Sequence, residues 1–315
     1  MRLLAAFFRL IRWPNILFIV ITQLLFYYCV YTTLLLTAPG SRQQMLFFSL
    51  IISSVLVSAA GYIINDYFDL QIDAVNRPEK MIVDRIIKRR WAILWHWIFS
   101  AAGILLSAYI SYKTGVWLIL VINFCCVVLL WFYSVSLKKK LLSGNISIAA
   151  LTAWVILVVY LFAGARLFSV TGFTHEAGAF DERRFFKFTW LYAAFAFIMT
   201  IIREVIKDME DMEGDRKYGC RTMPIVWGVP ASKVFTAVWI IVCIAALLIL
   251  QLYAWQSRRW FAAGYIVVCI IAPMVLILRN LYRANIPADF HRLSNLVKLV
   301  MLAGILSMLL LKIMG

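Results

Sequence analysis

Nine apolar runs, most of them close to twenty residues long, dominate this chain and leave few folds open to it. A helix needs about 20 apolar residues to cross the hydrocarbon of a bilayer, and only a closed hydrogen-bond pattern can do so. The runs cover residues 14–37, 44–64, 91–112, 116–134, 146–168, 186–207, 232–251, 260–278 and 296–313. They predict an all-α polytopic membrane protein with nine transmembrane helices. With 64% hydrophobic and 15% charged residues, a soluble domain is excluded. The first run continues past signal-peptide length without a small-residue cleavage site, so it is expected to remain as a span.

A net charge of +16 would suit nucleic acid, but positive charge is also what the inner flanks of membrane helices carry, and no nucleic-acid partner is expected. With the N-terminus inside, 22 of the 31 Lys and Arg residues fall on the cytoplasmic side. That asymmetry orients the chain N-terminus in and C-terminus out, in the cell membrane. The six cysteines, Cys29, Cys125, Cys126, Cys220, Cys243 and Cys269, mostly lie in apolar runs, form no CxxC pair and read as reduced packing residues. The longest outer segment, 169–184, carries Thr171, Gly172, His175, Glu176 and Gly178 without ligand spacing and reads as a solvated loop.

The acids are placed unlike the rest of the chain. Asp66, Asp69 and Asp73 are spaced three and then four apart, and Asp208, Asp211 and Asp215 repeat that spacing. On a helix such spacing puts three carboxylates on one face. Each triad follows a long apolar run, and together they hold six of the 15 acidic residues. Carboxylates crowded beside hydrocarbon call for compensation, and hard divalent cations with oxygen ligands supply it. The expectation is a Mg²⁺ site with a diphosphate between the two triads, which follow the second and sixth spans. One domain, 1–315, would contain two four-helix halves, 14–134 and 146–278, plus a ninth helix at 296–313, with the triads facing each other from the cytoplasmic side.

Basic residues accompany both triads. Arg77 and Lys80 follow the first and suit a phosphate-bearing ligand, whereas Lys88, Arg89 and Arg90 read as an inner flank. Arg203 and Lys207 precede the second, four residues apart and deep in a span, which favours a place facing the site. Arg216 and Lys217 follow it.

The stretch NDYFDLQIDAVNRPEK resembles the NDxxDxxxD signature of the UbiA family of intramembrane prenyltransferases. REVIKDMEDMEGDRKYGCRTMP is similar to the family's second Asp-rich motif, in the form of its digeranylgeranylglyceryl phosphate synthase branch. YSVSLKKKLLSGN, from Tyr133 to Asn145, resembles that branch's YSxxLK…GN segment, and RWPN at Arg12 to Asn15 resembles the N-terminal RxxN element. The resemblance implies nine helices around a central cavity open to lipid and capped by the Asp loops. It implies Mg²⁺ ligation by Asn65, Asp66, Asp69, Asp73, Asp208, Asp211 and Asp215. It further implies diphosphate contacts at Arg77, Lys138, Lys139 and Lys207, with Tyr133 near the allylic carbon; Asn15 of the RWPN element, and Lys80 and Arg203 by their positions beside the triads, complete the candidate substrate contacts. The chain departs from the family pattern at Glu79 to Asp84, where a second Arg-Pro and a glycine-containing turn are usual.

The activity so implied is Mg²⁺-dependent transfer of a prenyl group, geranylgeranyl in this branch, from a prenyl diphosphate to a membrane lipid acceptor. The acids Asp66, Asp69, Asp208 and Asp211 would serve the reaction directly. The acceptor would be a glycerol phosphate lipid, or an aromatic acid of quinone synthesis. A transporter is the rival class, but the charges cluster at one membrane face rather than at the midplane. A catalytically silent scaffold has no support while both triads are intact.

Overall fold

The computed structural model of the protein describes residues 2–35, 38–76, 78–164, 180–256 and 259–314. In chain order it forms α1 (Arg2–Leu10), α2 (Trp13–Leu34), α3 (Ser41–Phe68), α4 (Leu70–Asn76), α5 (Arg89–Thr114), α6 (Trp117–Val135) and α7 (Ser143–Gly164). There follow α8 (Glu182–Glu210), α9 (Met212–Lys217), α10 (Met223–Val226), α11 (Gly228–Gln256), α12 (Trp260–Arg283) and α13 (Pro287–Ile313). Among the described residues nine of these helices are long and apolar enough to cross a membrane, as the sequence predicts. Thr37, the outer end of the fifth run and residues 165–179, with Thr171, Gly172, His175, Glu176 and Gly178, lie outside the described residues.

Several helices extend beyond their apolar runs. α8 reaches from Glu182 to Glu210, and α13 begins at Pro287 rather than at residue 296. Hydropathy marks only where a helix stops facing hydrocarbon, and no breaker ends it there. Pro287 opens α13, where its missing N–H costs nothing, and Asp289 accepts the backbone N–H groups of Asn285 and Ile286 at 3.1 and 3.4 Å. Ahead of the first span, α1 turns Ala6 and Leu10 inward and leaves Leu3, Leu4 and Phe8 exposed. Such an apolar outer face suits a helix lying along a membrane surface.

The chain divides into two compact units, Met1–Leu137 with Trp154–Thr189, and Lys138–Ala153 with Trp190–Gly315. Both α7 and α8 therefore contribute to each unit, so the units do not follow the linear halves.

In the first unit α3 packs along α5 and α6. Lipid removes the hydrophobic incentive for helices to associate, so small residues and interhelical hydrogen bonds must supply it. A Cβ on Gly103 of α5 would come within 2.8 Å of the Val57 side chain of α3. Beside it Ser53 Oγ bonds the Gly103 carbonyl at 2.9 Å and the Ser107 hydroxyl at 2.8 Å. Asn123 donates to Ser107 at 2.8 Å and accepts from the Trp154 indole at 2.8 Å, extending the buried chain to α6 and α7. In the second unit Val205, Ile206, Ile240, Met274, Ile277 and Val297 form the core of α8, α11, α12 and α13. Cys29, Cys126, Cys220 and Cys243 are buried, Cys243 within the apolar core of the second unit.

Overpacking the Gly103 contact by Gly103→Leu should cost about 1–3 kcal/mol. Asn123→Leu, which removes two interhelical bonds, should cost about 1 kcal/mol. Denaturation midpoints in detergent check both, and an unchanged midpoint for Gly103→Leu contradicts the close approach.

Candidate functional site

The first triad sits where α3 leaves its apolar run. Asp66 lies in the last turn of α3, Asp69 stands between α3 and α4, and Asp73 falls in the first turn of α4. The spacing suggests one unbroken helix face; instead the helix is interrupted at Asp69, whose φ is −87° and ψ 0°. The carbonyl ladder nonetheless carries through, with Asp69 N bonded to Asn65 O at 3.0 Å and Asp73 N to Asp69 O at 2.8 Å. Hence the three carboxylates stay close in register despite the break.

Around this triad the charge is met by nearby donors. Arg12 Nη2 pairs with Asp66 Oδ1 at 2.7 Å, and Asn65 Nδ2 donates to Asp69 Oδ2 at 2.8 Å. The Arg12 guanidinium carbon also lies 5.3 Å from the Tyr62 ring centroid, within cation–π range. Burial works against its charge, but Asp66, Tyr62 and Asp69 together outweigh that and hold the guanidinium above its ordinary range. Arg12 reaches this position from a left-handed turn between α1 and α2, with φ 53° and ψ 55°. For a non-glycine residue that conformation costs about 1–2 kcal/mol. Asn15, the residue the sequence favours in this element, sits half-buried in the first turn of α2 with its N–H on the Arg12 carbonyl at 2.8 Å.

After the triad, Arg77 and the Lys80 side chain lie outside the described residues. The atypical stretch Glu79 to Asp84 has a clear backbone solution. Asp84 adopts φ 71°, the conformation for which a glycine is usual, and its N–H bonds the Ile87 carbonyl at 2.8 Å. Aspartate tolerates that region better than most side chains. Ile82 and Val83 are buried with Ala6, Leu10, Ile63 and Ala92, which anchors the loop.

The second triad repeats the first. Asp208 lies in the last turn of α8, Asp211 interrupts the helix with φ −93° and ψ 7°, and Asp215 lies in the first turn of α9. Asp211 N bonds Lys207 O at 2.8 Å and Asp215 N bonds Asp211 O at 3.2 Å. Asn145 Nδ2 donates to Asp208 Oδ2 at 2.8 Å. Glu204 collects the two cations near the C-terminal end of α8: Arg203 Nη1 is 2.6 Å from Oε1 and Lys207 Nζ 3.6 Å from Oε2. The Lys139 carbonyl accepts the Arg221 N–H at 2.7 Å, so the segment bearing half-buried Lys138 and Lys139 is tied to the turn after α9. Tyr133 is half-buried near the end of α6, within the first unit.

The second unit thus assembles Lys138, Lys139, Asn145, Arg203, Lys207 and the three aspartates, while the first holds Asn15, Asn65, Tyr133 and the other three. Among the described residues no three Asp, Glu, His or Cys side chains close on one point to hold an ion unaided. The donors are oxygen-only and few on each side, which fits Mg²⁺, a cation that completes its octahedron with waters and substrate phosphates. Sequence reasoning missed Arg12, Asn145 and Glu204 as contributors. Each lies inside a quoted motif, but only the fold reveals which carboxylate or cation it meets.

Residues 15–297 match the model of the UbiA prenyltransferase family. A digeranylgeranylglyceryl phosphate synthase from Methanothermobacter thermautotrophicus is 36% identical over 185 residues, which is 59% of this chain and 57% of that protein. One from Methanosphaera stadtmanae is 31% identical over 196 residues, 62% of each. The matched region thus spans about three fifths of these curated relatives' length. Among solved structures, one concerning digeranylgeranylglyceryl phosphate synthase in membranes superposes with TM-score 0.61 at 23% identity, covering 98% of this chain and 99% of that one. A UbiA homologue from Archaeoglobus fulgidus bound to GPP and Mg²⁺ superposes with TM-score 0.59 at 14% identity, covering 96% and 99%. With nine membrane-length helices and a family match over most of its length, the chain is an integral membrane protein that belongs to the UbiA prenyltransferase family.

Proposed function

We propose that this protein transfers a prenyl group from a prenyl diphosphate to a glycerol phosphate lipid, using Mg²⁺, and releases diphosphate. The observation that carries this reading is the pair of Asp triads, built on the same broken-helix backbone at the ends of α3 and α8. The names of the relatives support the acceptor class, and the GPP and Mg²⁺ held by the Archaeoglobus homologue support the donor and the cation. We place the triads at the cytoplasmic side of the cell membrane, as the distribution of Lys and Arg suggests.

Bound Mg²⁺ would supply Lewis-acid stabilisation of the departing diphosphate. The residues to hold it are Asn65, Asp66, Asp69, Asp73, Asp208, Asp211 and Asp215. Arg77, Lys80, Lys138, Lys139, Arg203 and Lys207 take the remaining negative charge of the phosphates, so the allylic C–O bond lengthens and positive charge spreads over the prenyl carbons. Glu204 holds Arg203 and Lys207 on one side of α8 and so keeps their cations from turning to lipid. Tyr133 offers its ring face to the allylic cation, and Asn15 helps to seat the donor. The acceptor hydroxyl attacks that carbon as its bond to the diphosphate breaks, the hydroxyl proton leaves with the diphosphate, and apolar walls keep water from intercepting the cation. A phosphate on the acceptor would suit Arg216 and Lys217, the surplus basic residues after the second triad.

Purified protein in detergent, given labelled prenyl diphosphate, should form product with a prenylated glycerol phosphate and none with 4-hydroxybenzoate or a naphthoate. The reverse preference would replace the lipid acceptor by an aromatic one, and no turnover with any acceptor would overturn the enzymatic reading. Chelation should stop the reaction and Mg²⁺ restore it. Asp66→Ala and Asp208→Ala should each lower turnover by at least about a hundredfold, the scale of losing preorganised charge stabilisation. Either variant with wild-type activity removes its residue from the site. Arg12→Ala should lower kcat/KM by about tenfold by releasing Asp66, and Arg12→Lys should recover only part, because a point charge cannot reproduce the guanidinium's planar geometry.

A further inference from the structure

The two halves share more backbone detail than the Asp spacing. Leu142, immediately before α7, has φ 56°, matching the 53° of Arg12 immediately before α2. Ile146 N bonds Leu142 O at 2.9 Å as Ile16 N bonds Arg12 O at 3.3 Å. Arg12 therefore corresponds to Leu142, and Asn15 to Asn145. In the first half the residue of the left-handed turn carries the group that meets the leading carboxylate, Asp66. In the second that residue is Leu142, which packs with the apolar core instead. Its place opposite Asp208 is taken by the amide of Asn145, three residues on.

We propose that Asn145 is a positioning residue: its amide fixes Asp208 and turns the carboxylate's remaining lone pairs toward a divalent cation, orienting without neutralising it. This rests on the reading that Asp208 ligates the cation. Nothing local accounts for the asparagine. It lies in the first turn of α7, past the capping position, and asparagine is a poor helix former there. It is 7% exposed, and its side chain spans to α8. Where Arg12 sets a full positive charge against Asp66, the amide leaves the charge of Asp208 in place and occupies one acceptor site of the roughly four that a carboxylate offers. Partners of this kind commonly hold 10–100-fold of metal affinity.

The test uses the full-length protein in detergent with Mn²⁺ alone as the probe, its binding read by electron paramagnetic resonance. Asn145→Ala should weaken Mn²⁺ binding by about tenfold, measured well below the variant's own metal-free melting temperature. The Mg²⁺ concentration for half-maximal turnover should rise in parallel while kcat at saturating Mg²⁺ changes little. In an Asp208→Ala background the same substitution should weaken Mn²⁺ no further, because the amide acts through Asp208. Asn145→Ser, which keeps a donor, should retain part of the affinity, and it provides the same reading should the alanine variant not fold. Unchanged Mn²⁺ affinity in Asn145→Ala, or an equal loss with Asp208 already removed, overturns the proposal. A wild-type protein that binds Mn²⁺ through Asp208 and Asn145 yet turns over no prenyl diphosphate would defeat the enzymatic function and leave this inference standing.

Discussion

Three carboxylates at the end of a membrane helix are in a hostile place on two counts. They repel one another, and the C-terminal end of a helix carries the negative pole of its dipole. Asp66 and Asp208 both occupy the last turn of a long span, α3 and α8, beside hydrocarbon that offers no solvation. Much of the surrounding architecture answers that repulsion. The helix stops at Asp69 and at Asp211, so that Asp73 and Asp215 fall in the first turn of new helices, where backbone N–H groups favour negative charge. Arg12, Asn65 and Asn145 supply donors to the remaining oxygens. A protein that left these acids undefended would be less stable, and one that neutralised them fully would have no use for a cation. Partial compensation leaves carboxylate charge that a divalent cation would meet.

The two halves reach this state with different side chains on the same backbone. Where the first half has Tyr62 and Asn65, the second has Glu204 and Lys207, at the same distance from their triads. The first draws its cation from the turn ahead of α2, and Tyr62 backs that guanidinium. The second carries its cations on α8, and Glu204 restrains them. One side is thus balanced by a partner tied directly to a carboxylate. On the other, Glu204, one helical turn before Asp208, draws Arg203 and Lys207 to itself, at positions suited to reach a phosphate.

How much of this the sequence announces depends on what each feature requires. Nine spans are legible because hydrocarbon demands long apolar runs, and the triads because spacings of three and four are the period of a helix. Helix ends are not, since α8 and α13 continue through polar residues that hydropathy treats as loop. The interruptions at Asp69 and Asp211 carry no glycine or proline to mark them. Arg12 is the harder half of its motif to read. By residue type Asn15 is the better contact, yet the left-handed turn sends the guanidinium of Arg12 to Asp66. The Glu79 to Asp84 loop, which lacks the usual glycine, keeps its turn because Asp84 accepts φ 71° and Ile82 and Val83 anchor it.

The paired left-handed turns settle what each is for. If the turn existed to present Arg12, Leu142 would have no reason to keep it, because leucine has no polar group to aim and bears the same conformational cost. That cost is offset instead by the helix each turn launches. In both halves the turn sets the angle at which the next helix starts, bringing an asparagine into its first turn, and in the second half that asparagine reaches the leading carboxylate. Arginine in the first half is then an addition to a device whose constant part is backbone. Strain retained at matching positions while the side chain changes from charged to apolar belongs to the geometry of the site rather than to any one residue.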